Sequence, residues 1–529
     1  MNDKNQQNAM HWADVYAEKI IREKGDKELY TCASGITPSG TVHIGNFREI
    51  ISVDLVVRAL RERGKKVRFI YSWDDYDVFR KVPKNMPQPE LLEKYLRYPI
   101  TMVPDTTNRA DNYARGNELD VENVLPEVGI SPEYLYQAQR YRSGMYADGM
   151  RQALENRGAI KKILDEFRTE PLPEDWYPIS VFSSFTNKDN TKVIGWDGAW
   201  GLTYRDEDLG KEETIDLRTT PNAKLPWRVD WPMRWNREHV DFEPAGKDHH
   251  SEGGSFDTSR KIVELFGWHA PVSFQYDLIS IKGHGGKISS SSGDVVSLPD
   301  VLDIYTPELT RYMFACTVPN REFAISFDLD VLKLYEDYDN CERIYFGVLP
   351  VSEKRRAYEK RIYELSQVSE DVPKMISYQI PFRHLCNLLQ IHEMNVEEAI
   401  ASLSDVKPEQ MGRLVRKATC AKHWLEKYAP EDFRFHLVKE GETKAGLSPE
   451  ALKAVQALAS VVEEMDSLSA DDFSSRMYGC AKDNNLPTPD FFKVVYQVLI
   501  AKDRGPKLAD FIHSCGKKKV LPILKRYCE

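Results

Sequence analysis

Ser34-Gly-Ile-Thr-Pro-Ser-Gly-Thr-Val-His43-Ile-Gly-Asn46 lies between a short apolar run and a long helical one. Before it, Leu29-Tyr-Thr-Cys-Ala33 has the residue types of a short buried strand. After it, Ile44, Phe47, Ile50, Val53, Val57 and Leu60 recur at the spacing of an amphipathic helix, and Gly64 is a natural stop. The stretch therefore predicts a loop that carries His43, Gly45 and Asn46 into a first helical turn, at the carboxyl end of a strand. Such a helix start offers backbone N–H groups and the positive end of the helix dipole to an anion. Gly35, Gly40 and Gly45 let a nucleotide approach the backbone closely. His43 and Asn46, three residues apart on one face, can both donate to phosphate oxygens. On the tetrad from His43 to Asn46 alone, an ordinary polar turn with a satisfied surface histidine is the favoured reading.

Working outward, Val67-Arg-Phe-Ile-Tyr-Ser-Trp73 reads as a second strand, which completes a βαβ unit with parallel strands and a right-handed crossover. Residues 80 to 225 break this rhythm with many prolines, polar loops and a helical pattern from Gln137 to Leu164, so they read as an insertion. The rhythm resumes with a strand at His239-Val-Asp-Phe-Glu243, a helix from Gly253 to Phe266 and a strand from Val272 to Ile281. Two βαβ-type halves predict a doubly wound nucleotide-binding fold with its site where the halves meet. After Asp330 helical periodicity dominates, punctuated by Pro373, Pro408, Pro430, Pro487 and Pro489.

The chain of 529 residues is long enough for two to four domains. Eight cysteines stand apart with no CxxC pair, which suggests neither a zinc ribbon nor a disulfide framework and fits a cytoplasmic protein with reduced thiols. No signal pattern opens the sequence and no run has transmembrane length, so no membrane association is expected. A net charge of −10 argues against a protein that coats nucleic acid indiscriminately. Basic clusters at Lys354-Arg-Arg356 and Lys517-Lys-Lys519 are more often solvated helix faces than binding surfaces.

A second loop follows the strand ending at Ile281: Lys282-Gly-His-Gly-Gly-Lys287-Ile-Ser-Ser-Ser-Ser-Gly293. One central lysine among glycines and hydroxyls suits a polyphosphate whose charge shifts during reaction, since the lysine can close over it. With the first motif, and with Trp73-Asp-Asp-Tyr-Asp77, Phe79-Arg-Lys-Val-Pro83, Pro226-Trp-Arg-Val-Asp-Trp-Pro232, Gly246-Lys-Asp-His249 and Lys502-Asp-Arg-Gly505, the chain resembles the class I aminoacyl-tRNA synthetases, and among them the class I lysyl-tRNA synthetases. The two signatures of that class, written HIGH and KMSKS, correspond here to His43–Asn46 and Lys287–Ser291. Asn46 replaces the last histidine and Ser290 the second lysine, so Lys287 carries the phosphate role alone or with Lys282.

The resemblance implies an α/β, doubly wound Rossmann-type catalytic domain split by an insertion, then an all-α anticodon-binding domain. Its expected division is 1–80 and 223–300 for the catalytic halves, 81–222 for an insertion contacting the acceptor end, 301–350 for a linker and 351–529 for the helical domain. It implies catalysis by His43, Asn46 and Lys287, and ATP contacts at Pro38, Ser39, Gly40, His43, Gly45, Asn46, Lys287, Ile288, Ser289, Ser290 and Ser291. Around the amino acid it implies Gly35, Thr37, Asp74, Asp75, Trp227, His249 and Tyr276. Read without it, Trp227 and Tyr276 would be core residues, and Asp74 and Asp75 exposed turn formers. The implied substrates are ATP with Mg2+, L-lysine and tRNA(Lys), with no obligate protein partner. Some relatives bind zinc through Cys and His in the insertion; residues 80–225 contain neither, and Asp248-His249-His250 has no further ligand at metal spacing, so no zinc is expected. The alternatives are a glutamyl-type synthetase, whose pocket needs a basic residue, a non-catalytic tRNA-binding paralogue, and a nucleotidyltransferase that does not use tRNA.

Overall fold

The computed structural model describes residues 10–282 and 295–528. The chain divides into two compact units: one runs through Leu302 and adds Pro307–Ile325 and Gly347–Pro373, and the other holds Asp303–Thr306, Ser326–Phe346 and the chain from Lys374 on.

The first unit begins with helix α1 (Trp12–Lys24), strand β1 (Leu29–Ile36), helix α2 (Ile44–Glu62) and strand β2 (Lys66–Trp73). β1 and β2 pair in parallel over their whole lengths, from Leu29 opposite Lys66 to Ile36 opposite Trp73. β1 is longer than its apolar run, because Ser34, Gly35 and Ile36 of the motif still pair as strand. α2 stops where Gly64 takes a φ of 76°. It is not the half-exposed helix its apolar spacing predicts. Every residue from Ile50 to Leu60 is buried, including Asp54 and Arg58, which pair at 3.0 Å and are joined by Arg311, 2.7 Å from Asp54. A buried charge needs such a partner, and burial on all sides follows from α1 and Pro307–Ala315 both packing on α2.

A third strand, β3 (Glu133–Tyr136), extends the sheet beyond β2. It comes from within the region read as an insertion. The helical pattern from Gln137 to Leu164 is three helices, Gln137–Arg142, Ala147–Glu155 and Arg157–Asp165. The first break is at Gly144, whose φ of 74° lets the chain pass the Arg218 carbonyl, where a Cβ would clash. The rest of this region folds around an antiparallel meander, Thr191–Trp196, Gly201–Asp206 and Glu212–Asp216. Helix α3 (Trp227–Glu238) then leads into β4 (Val240–Phe242), which pairs in parallel with β1, so the sheet order is β3-β2-β1-β4.

The strand expected from Val272 to Ile281 is broken. Gln275–Tyr276 pairs with Ala245–Gly246, while Ile279–Ile281 pairs with Phe323–Ile325. The break falls where the α2 residue Arg48, itself buried, donates to the carbonyls of Asp277 (2.8 Å) and Leu278 (3.1 Å), and to those of Val318 and Arg321. Asp277 and Leu278 lie between the two short ladders, and the guanidinium supplies their carbonyls with a donor there.

The second unit contains no strand among the described residues. Its helices, including Phe382–Ile391, Pro408–Lys427, Pro449–Glu463, Ala470–Asp483, Thr488–Ile500 and Leu508–Cys515, enclose a core of Val455, Leu458, Val462, Phe473, Phe491, Leu499 and Phe511. Among the described residues no helix is long and apolar enough to cross a membrane.

Candidate active site

A cavity of about 570 Å³ opens at the carboxyl ends of β1 and β2. Ser34 to Thr37 and Ser39 to His43 form one side, and Trp227, Trp231, His249 and Tyr276 face them. Among the expected contacts the structure brings together Gly35, Thr37, Ser39, Gly40, His43, Gly45, Asn46, Asp74, Trp227, His249 and Tyr276. Pro38 is not on its lining; its carbonyl accepts from Asn117 Nδ2 at 3.1 Å. Lys287, Ile288, Ser289, Ser290 and Ser291 lie outside the described residues.

His43 caps α2, and its backbone N–H donates to Asn46 Oδ1 at 3.2 Å. The imidazole lies over Gly45, where a Cβ would stand 2.8 Å from the ring, so a larger residue there would push the His43 ring aside. Two N–H groups of the first turn are already used. That of Ile44 donates to the carbonyl of Val296 (2.8 Å) and that of Asn46 to the carbonyl of His43 (2.9 Å), which leaves Gly45's for an anion. The Ile44–Val296 bond also fixes the far end of the Lys287 segment to the helix start. Its near end is held where Lys282 N–H donates to the Ile325 carbonyl at 2.9 Å.

The floor of the cavity is set by Gly35, opposite Ser72 in the parallel register; a Cβ there would be 2.7 Å from the Ser72 carbonyl. Against this floor stands Glu49, a residue the sequence reading left without a role. One carboxylate oxygen accepts from Ser34 Oγ (2.8 Å) and Gly35 N–H (3.0 Å), and the other from the Tyr276 hydroxyl. Burial pushes the Glu49 carboxyl up despite these three donors. Glu243 lines the same cavity with one oxygen bonded to Trp235 Nε1 at 2.7 Å. Burial, then the nearby Glu49 charge, pushes Glu243 up to about 7. Among the described residues no lysine or arginine forms an ion pair with either. The sequence carries one signal for it: Glu49 is three residues from Asn46, on the same helical face.

The two aspartates at the end of β2 separate. Asp74 lines the cavity, but it is neutralised by Arg234 at 2.6 Å. Asp75 turns away, accepts from the Ala138 N–H at 2.7 Å and is pushed up to about 7 by burial. It caps a helix and does not reach the cavity. Trp227, at 37 % exposure, stacks on Trp231 with ring centres 4.8 Å apart and lies beneath the Arg234 guanidinium at 5.2 Å. Its free face is a cavity wall, not core packing. His249 bonds Ser255 Oγ at 2.5 Å, and burial holds its imidazole below the ordinary value, toward the neutral form.

The parallel sheet, the helix start at its carboxyl edge and the following helical unit define a class, and sequence comparison identifies it. Residues 10–369 match the family model of the class I tRNA synthetases (K), and residues 396–527 match that of an anticodon-binding domain. The chain belongs to the class I tRNA synthetase family. Within it, the chain is 54% identical to the lysine–tRNA ligase of Borreliella burgdorferi, over 98% of this chain and 99% of that protein. It is 51% identical to the lysine–tRNA ligase of Treponema pallidum and 41% identical to that of Thermococcus kodakarensis, with the same coverage.

Proposed function

We propose that the protein is a lysine–tRNA ligase. It activates L-lysine with ATP to lysyl-adenylate, releasing pyrophosphate, and transfers lysine to the 3′ end of tRNA(Lys). The observation that carries this reading is the pair of carboxylates, half-buried Glu49 and buried Glu243, within the cavity that His43 enters. Two such acids without an ion-pair partner favour a cationic ligand, and the tryptophan wall suits a methylene stem. Arg234, on the same cavity lining, is paired with Asp74 (2.6 Å) and Asp230 (3.1 Å), which disfavours an acidic amino acid and so the glutamyl reading.

In the first step a carboxylate oxygen of lysine attacks the α-phosphorus of ATP, a P–O bond forms, and the bond to pyrophosphate breaks. No protein nucleophile is needed; the chain supplies position and charge stabilisation. His43 and the Gly45 N–H face phosphate, with Ser39 and Gly40 beside them. Asn46 fixes the loop through its amide oxygen, which accepts from the His43 N–H, and this leaves its NH2 to donate to phosphate. Lys287 stabilises the charge that develops on the leaving group. The Mg2+ that accompanies ATP is held mainly through phosphate oxygens. In the second step the terminal ribose hydroxyl of tRNA attacks the adenylate carbonyl and AMP leaves. The region from 81 to 222 guides the acceptor end, and the helical unit takes the anticodon.

The test is ATP–pyrophosphate exchange with each amino acid, with and without tRNA, followed by charging of purified tRNA. Exchange that depends on lysine is expected. Absence of lysine dependence under both conditions overturns the reading.

A further inference from the structure

The Thr37 hydroxyl, at the cavity edge, donates to Asp77 Oδ2 at 2.8 Å. The opposite oxygen of that carboxylate accepts from Lys224 Nζ at 2.7 Å, and the same ammonium donates to the Tyr76 carbonyl at 3.0 Å. Lys224 has only 13% of its side chain exposed, whereas Asp77, itself on the cavity lining, keeps 41%. Burial pushes Asp77 up, but the Lys224 charge and the two hydrogen bonds outweigh it and hold the carboxyl below its usual range. Burial likewise pulls the Lys224 ammonium down, and Asp77 and Asp230 more than restore it. Both groups therefore stay charged at neutral pH.

A carboxylate can only accept and an ammonium can only donate, so the direction of every bond in this chain is fixed. Lys224 makes Asp77 an acceptor on one side, and Asp77 takes the single proton of Thr37 on the other. What remains of Thr37 toward the cavity is the lone-pair side of its oxygen.

We propose that Lys224 and Asp77 are positioning residues that lock Thr37 as an acceptor, so that this point of the cavity selects an ammonium group of the amino acid over a hydroxyl in the same place. The inference rests on the lysine-activating reading and deepens it. An ammonium is donor-only and fits a locked acceptor, whereas a hydroxyl gives up the charge-assisted part of that bond. Asp77→Asn inverts the arrangement. Lys224 still demands an oxygen, so the new amide presents its NH2 to Thr37. The Thr37 proton must then point into the cavity, where it opposes an ammonium and suits a hydroxyl.

The experiment compares wild-type and Asp77→Asn enzyme in pyrophosphate exchange, with tRNA present. The substrates are L-lysine and two analogues carrying hydroxyl at the α- or the ε-nitrogen position. In Asp77→Asn, the preference for lysine over one of the two analogues is expected to shrink by about ten- to a hundredfold, with KM for ATP unchanged within about twofold. Adding Asp77→Asn to Thr37→Val is expected to cost nothing further in that preference, because the two act through one hydroxyl. A merely structural role lowers all three substrates together, so an unchanged preference, or additive effects in the double variant, overturns the proposal. Should Asp77→Asn fail to fold with Lys224 unpaired, Asp77→Asn/Lys224→Gln removes both charges and keeps a donor behind the amide, with the same two readouts. If wild-type enzyme itself shows no lysine dependence, the ligase reading fails rather than this one.

Discussion

The two halves of the catalytic unit are built differently. In the first, β1 and β2 are eight residues each and pair along their full lengths. In the second, the strands that face the cavity are two and three residues long and belong to separate two-stranded ladders. The first half is held by its own backbone. The second is held from outside, by Arg48 on four of its carbonyls and by Glu49 on the Tyr276 hydroxyl. A ladder tolerates side-chain changes, whereas a structure fixed by two side chains of a distant helix does not.

Four experiments break or sharpen this contrast. The largest effect is expected at Lys287, in the second half. Lys287→Ala should slow adenylate formation roughly a hundred- to a thousandfold while tRNA binding, by filter retention, stays near wild type. An unchanged rate would move the role to Lys282. Arg48→Met should cost about 3 kcal/mol in urea unfolding, because buried carbonyls lose their donor. Hydrogen exchange should rise at Ile279 and Ile281 but not along β1; equal acceleration in both would erase the contrast. Glu49→Gln should raise KM for lysine about ten- to a hundredfold with little change for ATP.

The smallest effect concerns pH. A carboxyl raised to about 7 is protonated below that pH, and a cation beside it needs it ionised. KM for lysine should therefore rise as pH falls from about 8 to about 6, by about tenfold over the whole window. Without lysine the sign reverses. Between 4.5 and about 7 the folded protein holds a proton on Glu243 that the unfolded chain has lost, so stability falls as pH rises through that window. Calorimetry of the free protein should show this decline through the group, and saturating lysine should flatten it.

What was legible in the sequence follows the same division. β1, α2 and β2 carry their own periodicity, so the strand, the loop and the Gly64 stop could be read locally. The break after Tyr276 could not, because its cause, Arg48, is some 230 positions earlier in the chain. Asp74 and Asp75 are indistinguishable by type; which one faces the cavity depends on the Ala138 N–H and on Arg234, both brought in by folding. Glu49 is legible only in part, because one acid on an apolar helix resembles a surface position and its bonds to Ser34, Gly35 and Tyr276 are formed only on folding.

The placement of His43, Asn46, Arg48 and Glu49 within two turns of α2 has an evolutionary consequence. Turning this helix by one residue would rotate all four side chains by about 100° together. If His43 and Asn46 serve phosphate and Glu49 the amino acid, as proposed, those roles and the anchoring of the opposite half are inherited as a block, and a lineage can retune specificity here only by changes that leave the helix where it is.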